Sequence, residues 1–414
     1  MNGTGTHKVD TRKLIIIFAT LYFVQGIAEP TAGLVSQPVR SLLRSWGKNA
    51  EEIAFFIFLV ALPWNIKPLF GLMTDFLPFK GFRRKSYFIV TSIIIMIGMI
   101  CAAVFPLPAG ATTLLIFLLL LPSMGIAFND VVTDAYMVDT GQPLGITGRL
   151  QSAQWTAMYT AGLLTGVIGG FLSQHGLQRL GFLICGLLGA VTLYIALFHI
   201  KEEPEHKIQP DQFKRALAAL AAAARTRTVL VVAGFLFFIN FNPFSSDVLY
   251  VHMTTALGFS EQFVGFTYTL NSLGSIAACI LYGIYSPRIP VKYLLHGSIC
   301  FMILSSLVYL GLSGTISAIL ASIFFGFVYL ITGLIQLDLA ARYCPAASAG
   351  TVFALLMSLI NLSVSLSSIL GGRFYSSWKA TLGAHAAFQI LVGVGCLFTA
   401  GCWVLNYLFP LARE

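Results

Sequence analysis

Long apolar runs separated by short polar breaks make up most of this chain. Twelve of the runs are long enough to cross about 30 Å of hydrocarbon as helices. They begin near Leu14, Ile53, Tyr87, Thr112, Leu150, Leu180, Val229, Gln262, Tyr293, Ile316, Gly350 and Ala386. The pattern predicts an all-α integral membrane protein with twelve transmembrane helices.

The polar breaks also predict how the helices are grouped. Between Lys201 and Arg227 charged residues are denser than anywhere else in the sequence, and six apolar runs lie on each side of this segment. We therefore predict two six-helix halves, residues 1–200 and 228–414, joined by a cytoplasmic loop over residues 201–227.

Small residues recur at every fourth position in two of the runs, the fifth and the eleventh. They are Gly162, Gly166 and Gly170, and Ser363, Ser367 and Gly371. This spacing lets the backbones of neighbouring helices approach closely. General helix packing explains it equally well, but similar segments in the two halves also agree with the internal repeats of transporter folds, which form a binding site near the middle of the membrane.

Composition and charge distribution agree with a membrane protein. Of the 414 residues, 57% are hydrophobic and 10% are charged, whereas a soluble domain has about 25% charged residues. Breaks on the side of the two termini carry about three times as many Lys and Arg residues as the other breaks, and such an excess marks the cytoplasmic side. We expect both termini to be cytoplasmic, and the chain to lie in the plasma (inner) membrane of a bacterium.

The same distribution explains the net charge of +9. No nucleic-acid-binding motif accompanies this charge, so we expect no nucleic-acid partner. The seven cysteines fall almost all inside apolar runs and show no metal-ligand spacing. We therefore expect neither a metal nor a cofactor.

A loop with glycines, a carboxylate and a basic cluster follows the second run. It contains Gly71, Asp75, Gly81, Arg83 and Arg84, and it resembles the loop motif of the major facilitator superfamily. A carboxylate at Asp75 can contact the positive N-terminus of a facing helix and stabilise one conformation. Anchoring at the membrane surface also explains the arginines, but it does not explain Asp75 or the glycines.

Two further blocks resemble a narrower family within that superfamily. The segment from Leu62 to Gly71 and the segment from Asn129 to Asp139 are similar to signatures of the folate-biopterin transporter family. The resemblance implies a major facilitator fold and a substrate of the folate or pterin class. The chain departs from the superfamily pattern in the loop between the eighth and ninth runs, which has Pro287 where the motif has Asp.

Pro63 and Pro68 predict a bend in the second helix. Proline has no backbone N–H, so the carbonyls of Leu59 and Trp64 lose their helical partners. Since an unpaired carbonyl is costly in lipid, both carbonyls require other donors.

Three ionisable residues lie inside two of the predicted helices, Lys67 on the second and Asp130 and Asp134 on the fourth. The carboxylates are four residues apart and share one helix face, where they repel each other unless a cation lies between them. Lys67 has a similar predicted depth, so we expect one cluster that contacts substrate or carries protons. Two simpler alternatives are a lysine that extends to the headgroups and an ion network that never contacts substrate.

The remaining candidates come mainly from the helices that line the cavity in this superfamily, the first, fourth, seventh and tenth. On these helices Glu29, Asn240 and Asp338 are expected to face water between the halves. An amide such as that of Asn240 can instead form a hydrogen bond between helices. Trp64 and Trp155 are candidates for stacking on a flat ring, although most aromatic residues in such a chain only pack or face lipid.

The family resemblance also suggests which groups meet the substrate. A pterin edge presents adjacent N–H donors, which a carboxylate of Glu29, Asp130 or Asp134 can accept. The glutamate tail of a folate needs a cation, and Lys67 or Arg149 can provide it.

The sequence thus predicts a monomeric secondary active transporter that moves a folate or pterin-like solute by alternating access, coupled to protons. No nucleophile motif, zinc motif or phosphate-binding loop is present in the sequence, so we do not expect an enzyme. Two alternatives stay open. One is a major facilitator carrier for another small organic solute, such as a sugar, a drug or an amino acid, and the other is a membrane sensor or scaffold that transports nothing.

Overall fold

The computed structural model describes residues 11–204, 213–214, 217–218, 221–222, 225–285, 291–343 and 349–408. Nearly all of this part of the chain is helical, as the apolar runs predict. The helices are α1 Thr11–Ala28, α2 Ser36–Ser45, α3 Ala50–Asn65, α4 Lys67–Phe76, α5 Lys85–Val104, α6 Thr112–Gly141, α7 Thr147–Gln174, α8 Gln178–Phe198, α9 Arg227–Ile239, α10 Asp247–Val251, α11 Glu261–Tyr285, α12 Val291–Val308, α13 Thr315–Tyr343, α14 Ala349–Leu382 and α15 Ala384–Leu408.

These helices form twelve spans. Eleven helical segments of the described chain are long and apolar enough to cross a membrane, and the shorter apolar helix α9 begins the remaining span. In chain order the spans are α1 with α2, α3 with α4, α5, α6, α7, α8, α9 with α10 and a π turn over His252–Ala256, α11, α12, α13, α14 and α15. An even number of spans places the start of α1 and the end of α15 on one side of the membrane, which we call the terminal side.

The first and seventh spans are both interrupted, which the apolar pattern does not predict. In the first span residues 29–35 separate α1 from α2, and in the seventh residues 240–246 separate α9 from α10. The turn in the first span is tight, because a Cβ on Gly33 would lie 2.3 Å from the carbonyl oxygen of Ile27. Interrupted helices at matching places in two halves are a feature of transporter binding sites.

The predicted bend of the second span is confirmed. Helix α3 ends at Asn65 and α4 begins at Lys67, with Pro68 in the first turn of α4, where its missing N–H costs nothing. The carbonyl oxygen of Trp64 receives a hydrogen bond of 3.3 Å from the side-chain amide of Asn361 on the eleventh span. The donor that this freed carbonyl requires therefore comes from the other half of the chain.

The two halves pack through glycines, as the small-residue spacing predicts. The fifth span crosses the eighth, where a Cβ on Gly166 would lie 2.7 Å from the carbonyl oxygen of Gly265. The eleventh span touches the break in the seventh, where a Cβ on Gly371 would lie 1.8 Å from the carbonyl oxygen of Pro243. Such distances leave no room for any side chain larger than hydrogen.

We expect Gly265→Ala to destabilise the protein by about 1–3 kcal/mol, because the new methyl group pushes the fifth and eighth spans apart. The matched control is Gly297→Ala on the ninth span, where a Cβ meets no atom within 4 Å and alanine is the better helix former. Thermal unfolding in detergent, followed by intrinsic fluorescence, should give a lower midpoint for Gly265→Ala only. Equal midpoints for the two variants would contradict the tight crossing.

Candidate functional site

A cluster of charged and polar side chains joins the first, second and fourth spans inside the first half. Lys67 forms an ion pair with Asp130, and the Asp130 carboxylate also accepts a hydrogen bond of 2.6 Å from the Gln25 amide. The hydroxyl of Tyr22 donates to Asp134. The three ionisable residues that the sequence analysis grouped are therefore neighbours, and Tyr22 and Gln25 complete the set.

Burial makes the ion pair necessary. Asp130 is 5% exposed and the Lys67 side chain is 18% exposed. Removing either charge from water costs several kcal/mol, and only a close opposite charge with further hydrogen bonds offsets this cost. The pairing keeps the Lys67 ammonium beside the fourth span rather than among the headgroups.

Glu29 lies at the break of the first span and links it to the second. Its carboxylate accepts hydrogen bonds from the Thr31 hydroxyl at 2.7 Å and from the Thr31 backbone N–H at 3.1 Å. The indole N–H of Trp64 donates to the other carboxylate oxygen at 3.1 Å. The Lys67 ammonium lies 4.6 Å from the centre of the Trp64 ring, so Trp64 connects Glu29 to the ion cluster.

The remaining candidates lie apart from this cluster. Asn240 donates to the Gln336 side chain at 2.7 Å, which joins the seventh and tenth spans. Trp155 stacks on Tyr159, with 6.0 Å between the ring centres. Arg149 lines a groove between the first and fifth spans, and the side chain of Asp338 lies outside the described residues.

The loop after the second span forms its own ion network on the terminal side. Arg84 contacts Asp75 at 2.8 Å and Asp139 at 3.0 Å, and Arg83 lies 3.8 Å from Asp75. Burial by itself lowers the pKa of the Arg84 guanidinium, but the charges of Asp75 and Asp139 outweigh burial and raise that pKa above its ordinary value. Gly81 has a φ of +82°, a conformation that favours glycine.

A carboxylate does occupy a helix N-terminus here, but it is Glu202 rather than Asp75. Glu202 accepts hydrogen bonds from the backbone N–H groups of Arg83, Arg84 and Lys85 at 2.8–3.1 Å. These groups begin α5, where the helix dipole favours a negative charge. By sequence pattern Glu202 is only one of the charges of the central loop, because its partners are distant in sequence.

A second ion network, which no sequence pattern predicted, joins the two halves on the side opposite the termini. Arg40 on α2 contacts Asp247 on α10 at 2.7 Å, and Arg44 contacts Glu261 on α11 at 2.8 Å. Gln37 also donates to the Glu261 carboxylate, at 2.9 Å. We call these five residues the interhalf gate. Among the described residues, both ion pairs between the halves belong to this gate, so the halves are held together on this side.

Twelve spans in two halves, with interrupted first and seventh spans and buried charges between helices, define a membrane transporter with a major facilitator fold. Solved structures with this fold include a D-xylose-proton symporter, with a TM-score of 0.71, 15% identity and coverage of 95% of this chain and 97% of that chain. A nucleoside transporter gives a TM-score of 0.70 at 13% identity, covering 95% of this chain and 98% of the other.

The chain belongs to the BT1 family, whose model matches residues 25–413. A relative named folate-biopterin transporter, from Synechocystis sp., is 30% identical over 86% of this chain and 74% of its own length. A Plasmodium falciparum protein named folate transporter 1 is 21% identical over 87% of this chain and 73% of its own length. The predicted resemblance is therefore confirmed, and this is a family of transporters rather than enzymes.

We expect Arg40→Gln to open the interhalf gate. The substitution leaves Asp247, which is 1% exposed, buried without its cation, at a cost of about 3–5 kcal/mol to the closed arrangement. Spin labels at Ser45 and Ser260, on a background without native cysteines, should then show a larger population of long distances.

The matched control is Lys48→Gln. Lys48 pairs with Glu52 at 2.7 Å within the first half, and the Glu52 side chain is 43% exposed, so this pair contributes about 0–1 kcal/mol. Equal distance distributions for Arg40→Gln and Lys48→Gln would show that the gate does not hold the halves together.

Proposed function

We propose that this transporter is a secondary active carrier of folate or pterin-like solutes, coupled to protons and operating by alternating access. The observation that carries the proposal is the ion pair of Lys67 with Asp130, which joins the second span to the cavity-lining fourth span beside Glu29 and Trp64. The names of the relatives from Synechocystis sp. and Plasmodium falciparum support the substrate class.

The chemistry of the cluster suits such a solute. Paired carboxylate oxygens, as on Glu29, accept the adjacent N–H donors of a pterin ring, and the Trp64 indole beside them can stack on that ring. The Lys67 ammonium can bind the glutamate carboxylates of a folate. A folate that engages Lys67 competes with Asp130 for the same cation, so substrate binding and the charge state of the cluster are linked.

This competition provides a route for proton coupling. When Lys67 turns to a substrate carboxylate, Asp130 and Asp134 are left as two neighbouring acids on one helix face, and one of them then favours the protonated form. A proton therefore binds to the cluster together with an anionic solute. Release of either one restores the ion pair of Lys67 with Asp130.

Alternating access then requires a gate on each side of the membrane. The interhalf gate closes the side opposite the termini, and the Asp75 loop with Arg83 and Arg84 is the counterpart on the terminal side. We assign the terminal side to the cytoplasm of a bacterial plasma membrane, because it carries the Lys and Arg excess. On this assignment the structure corresponds to a state closed to the outside.

Uptake into proteoliposomes tests the substrate. Folate, biopterin and p-aminobenzoylglutamate, which is folate without its pterin ring, should be compared with and without a proton gradient. We expect uptake of both pterin compounds and little uptake of the third, and we expect the gradient to stimulate the uptake of folate, whose carboxylates compete with Asp130 for Lys67. Uptake of a sugar, a drug or an amino acid instead would replace the substrate class, and transport of nothing across the panel would favour a sensor or scaffold.

The role of Lys67 can be tested separately. We expect Lys67→Ala to reduce gradient-driven uptake about tenfold or more, because the two carboxylates retain a proton once the cation is gone. Its uptake should no longer depend on pH. The control Lys48→Ala removes a partly exposed lysine that lies outside the cluster, and it should behave as wild type.

A double variant separates folding from coupling. Lys67→Ala with Asp130→Asn removes the unpaired charge, so the yield of folded protein should recover while stimulation by the proton gradient stays lost. Normal pH-dependent transport by Lys67→Ala alone would mean that coupling takes place elsewhere, with Glu29 and Asp338 as the next candidates.

A further inference from the structure

A groove runs between the first and fifth spans, on a face of α1 turned away from the ion cluster. It is an open groove with a volume of about 620 Å³, within the range of about 300–1,000 Å³ that small-molecule pockets occupy. The side chains that matter most for its chemistry are Ile16, Thr20 and Phe23 on α1 and Arg149, Thr156 and Thr160 on α7.

The groove opens to lipid rather than to the space between the halves. Thr156 and Thr160 belong to a row at every fourth position of α7 that continues with Leu164 and Ile168, which are 43% and 40% exposed. Large apolar side chains exposed on a membrane span lie against acyl chains. Gln154 lies on the other face of α7, where its amide is 3.5 Å from the Asp134 carboxylate.

The inner part of the groove offers no free hydroxyl donor. The hydroxyls of Thr20, Ser152, Thr156 and Thr160 each donate to the carbonyl four residues earlier in their own helix, at 2.7–3.0 Å. Because these polar groups are already satisfied, an acyl chain can lie over them at little cost. A solute rich in hydrogen-bonding groups gains little from the same surface.

The terminal end of the groove is positively charged. Arg149 lies exposed in the first turn of α7, and Arg12 and Lys13 begin α1 at the same end. Two helix N-termini add their positive dipoles there. A guanidinium binds phosphate oxygens in a bidentate manner, which makes Arg149 the natural headgroup contact.

We propose that this groove binds an anionic phospholipid, with the phosphate on Arg149 and one acyl chain lying between α1 and α7 against Ile16 and Phe23. The groove has a positive charge at one end and an apolar wall whose hydroxyl groups are already hydrogen-bonded. This arrangement matches a lipid with an anionic headgroup and apolar acyl chains. The site is separate from the substrate cluster, so the proposal holds whichever solute is carried.

Native mass spectrometry tests the headgroup contact. Protein in detergent is mixed with equal amounts of phosphatidylglycerol and phosphatidylcholine that have the same acyl chains. We expect wild type to retain phosphatidylglycerol preferentially, and Arg149→Gln to reduce that preference about fivefold, the effect of one basic residue near a membrane surface. The control Arg179→Gln removes another exposed arginine, at the start of α8, and should keep the preference.

A second pair of variants tests the groove itself. Thr156→Phe fills the groove without changing charge and should lower retention of phosphatidylglycerol, whereas Leu164→Phe, two turns further along the same face from Thr156 and not a lining residue, should not. The proposal is overturned if Arg149→Gln keeps the wild-type preference, if Arg149→Gln and Arg179→Gln lose it equally, or if Thr156→Phe retains as much lipid as Leu164→Phe.

Discussion

Satisfaction of backbone hydrogen bonds inside the bilayer is the constraint on which the rest of this structure depends. An unpaired carbonyl costs several kcal/mol in lipid, so a helix can be interrupted only where other groups replace its missing bonds. At each of the three interruptions a side chain is among those groups. Asn361 donates to the Trp64 carbonyl, Ser363 donates to the Phe237 carbonyl at 2.5 Å, and Arg40 donates to the Thr31 carbonyl at 3.3 Å.

Two charge clusters surround these interruptions, and they differ in which parts of the molecule they join. The ion pair of Lys67 with Asp130 lies within the first half, whereas the pair of Arg40 with Asp247 joins the halves. A rigid-body movement of one half against the other therefore separates Arg40 from Asp247 and leaves Lys67 beside Asp130. The first cluster is suited to sense a solute or a proton, and the second to respond by opening.

Much of the architecture was predictable because it depends on local chemistry. Lipid requires long apolar helices, so the spans follow from hydropathy alone, and Pro68 has no backbone N–H with which to continue the hydrogen bonds of the preceding helix. The small residues around Gly166 predicted a close helix crossing, because small side chains let two helix backbones approach each other. The interruption at Glu29 was harder to predict, since Pro30 and Gly33 lie inside a run that is apolar enough to continue as a helix.

By itself the sequence determined the membrane class, the spans and the bend at Pro68, and it left Lys67 either a carboxylate on the fourth span or the headgroups, because each follows from the cost of a polar group in lipid. Only the tertiary structure decided which partners meet. Lys67 forms its ion pair with Asp130, and Arg40 forms its ion pair with Asp247 in the other half. Glu202, rather than Asp75, lies at the N-terminus of a helix. These pairings join residues far apart in sequence, so they depend on how the helices pack rather than on any local pattern.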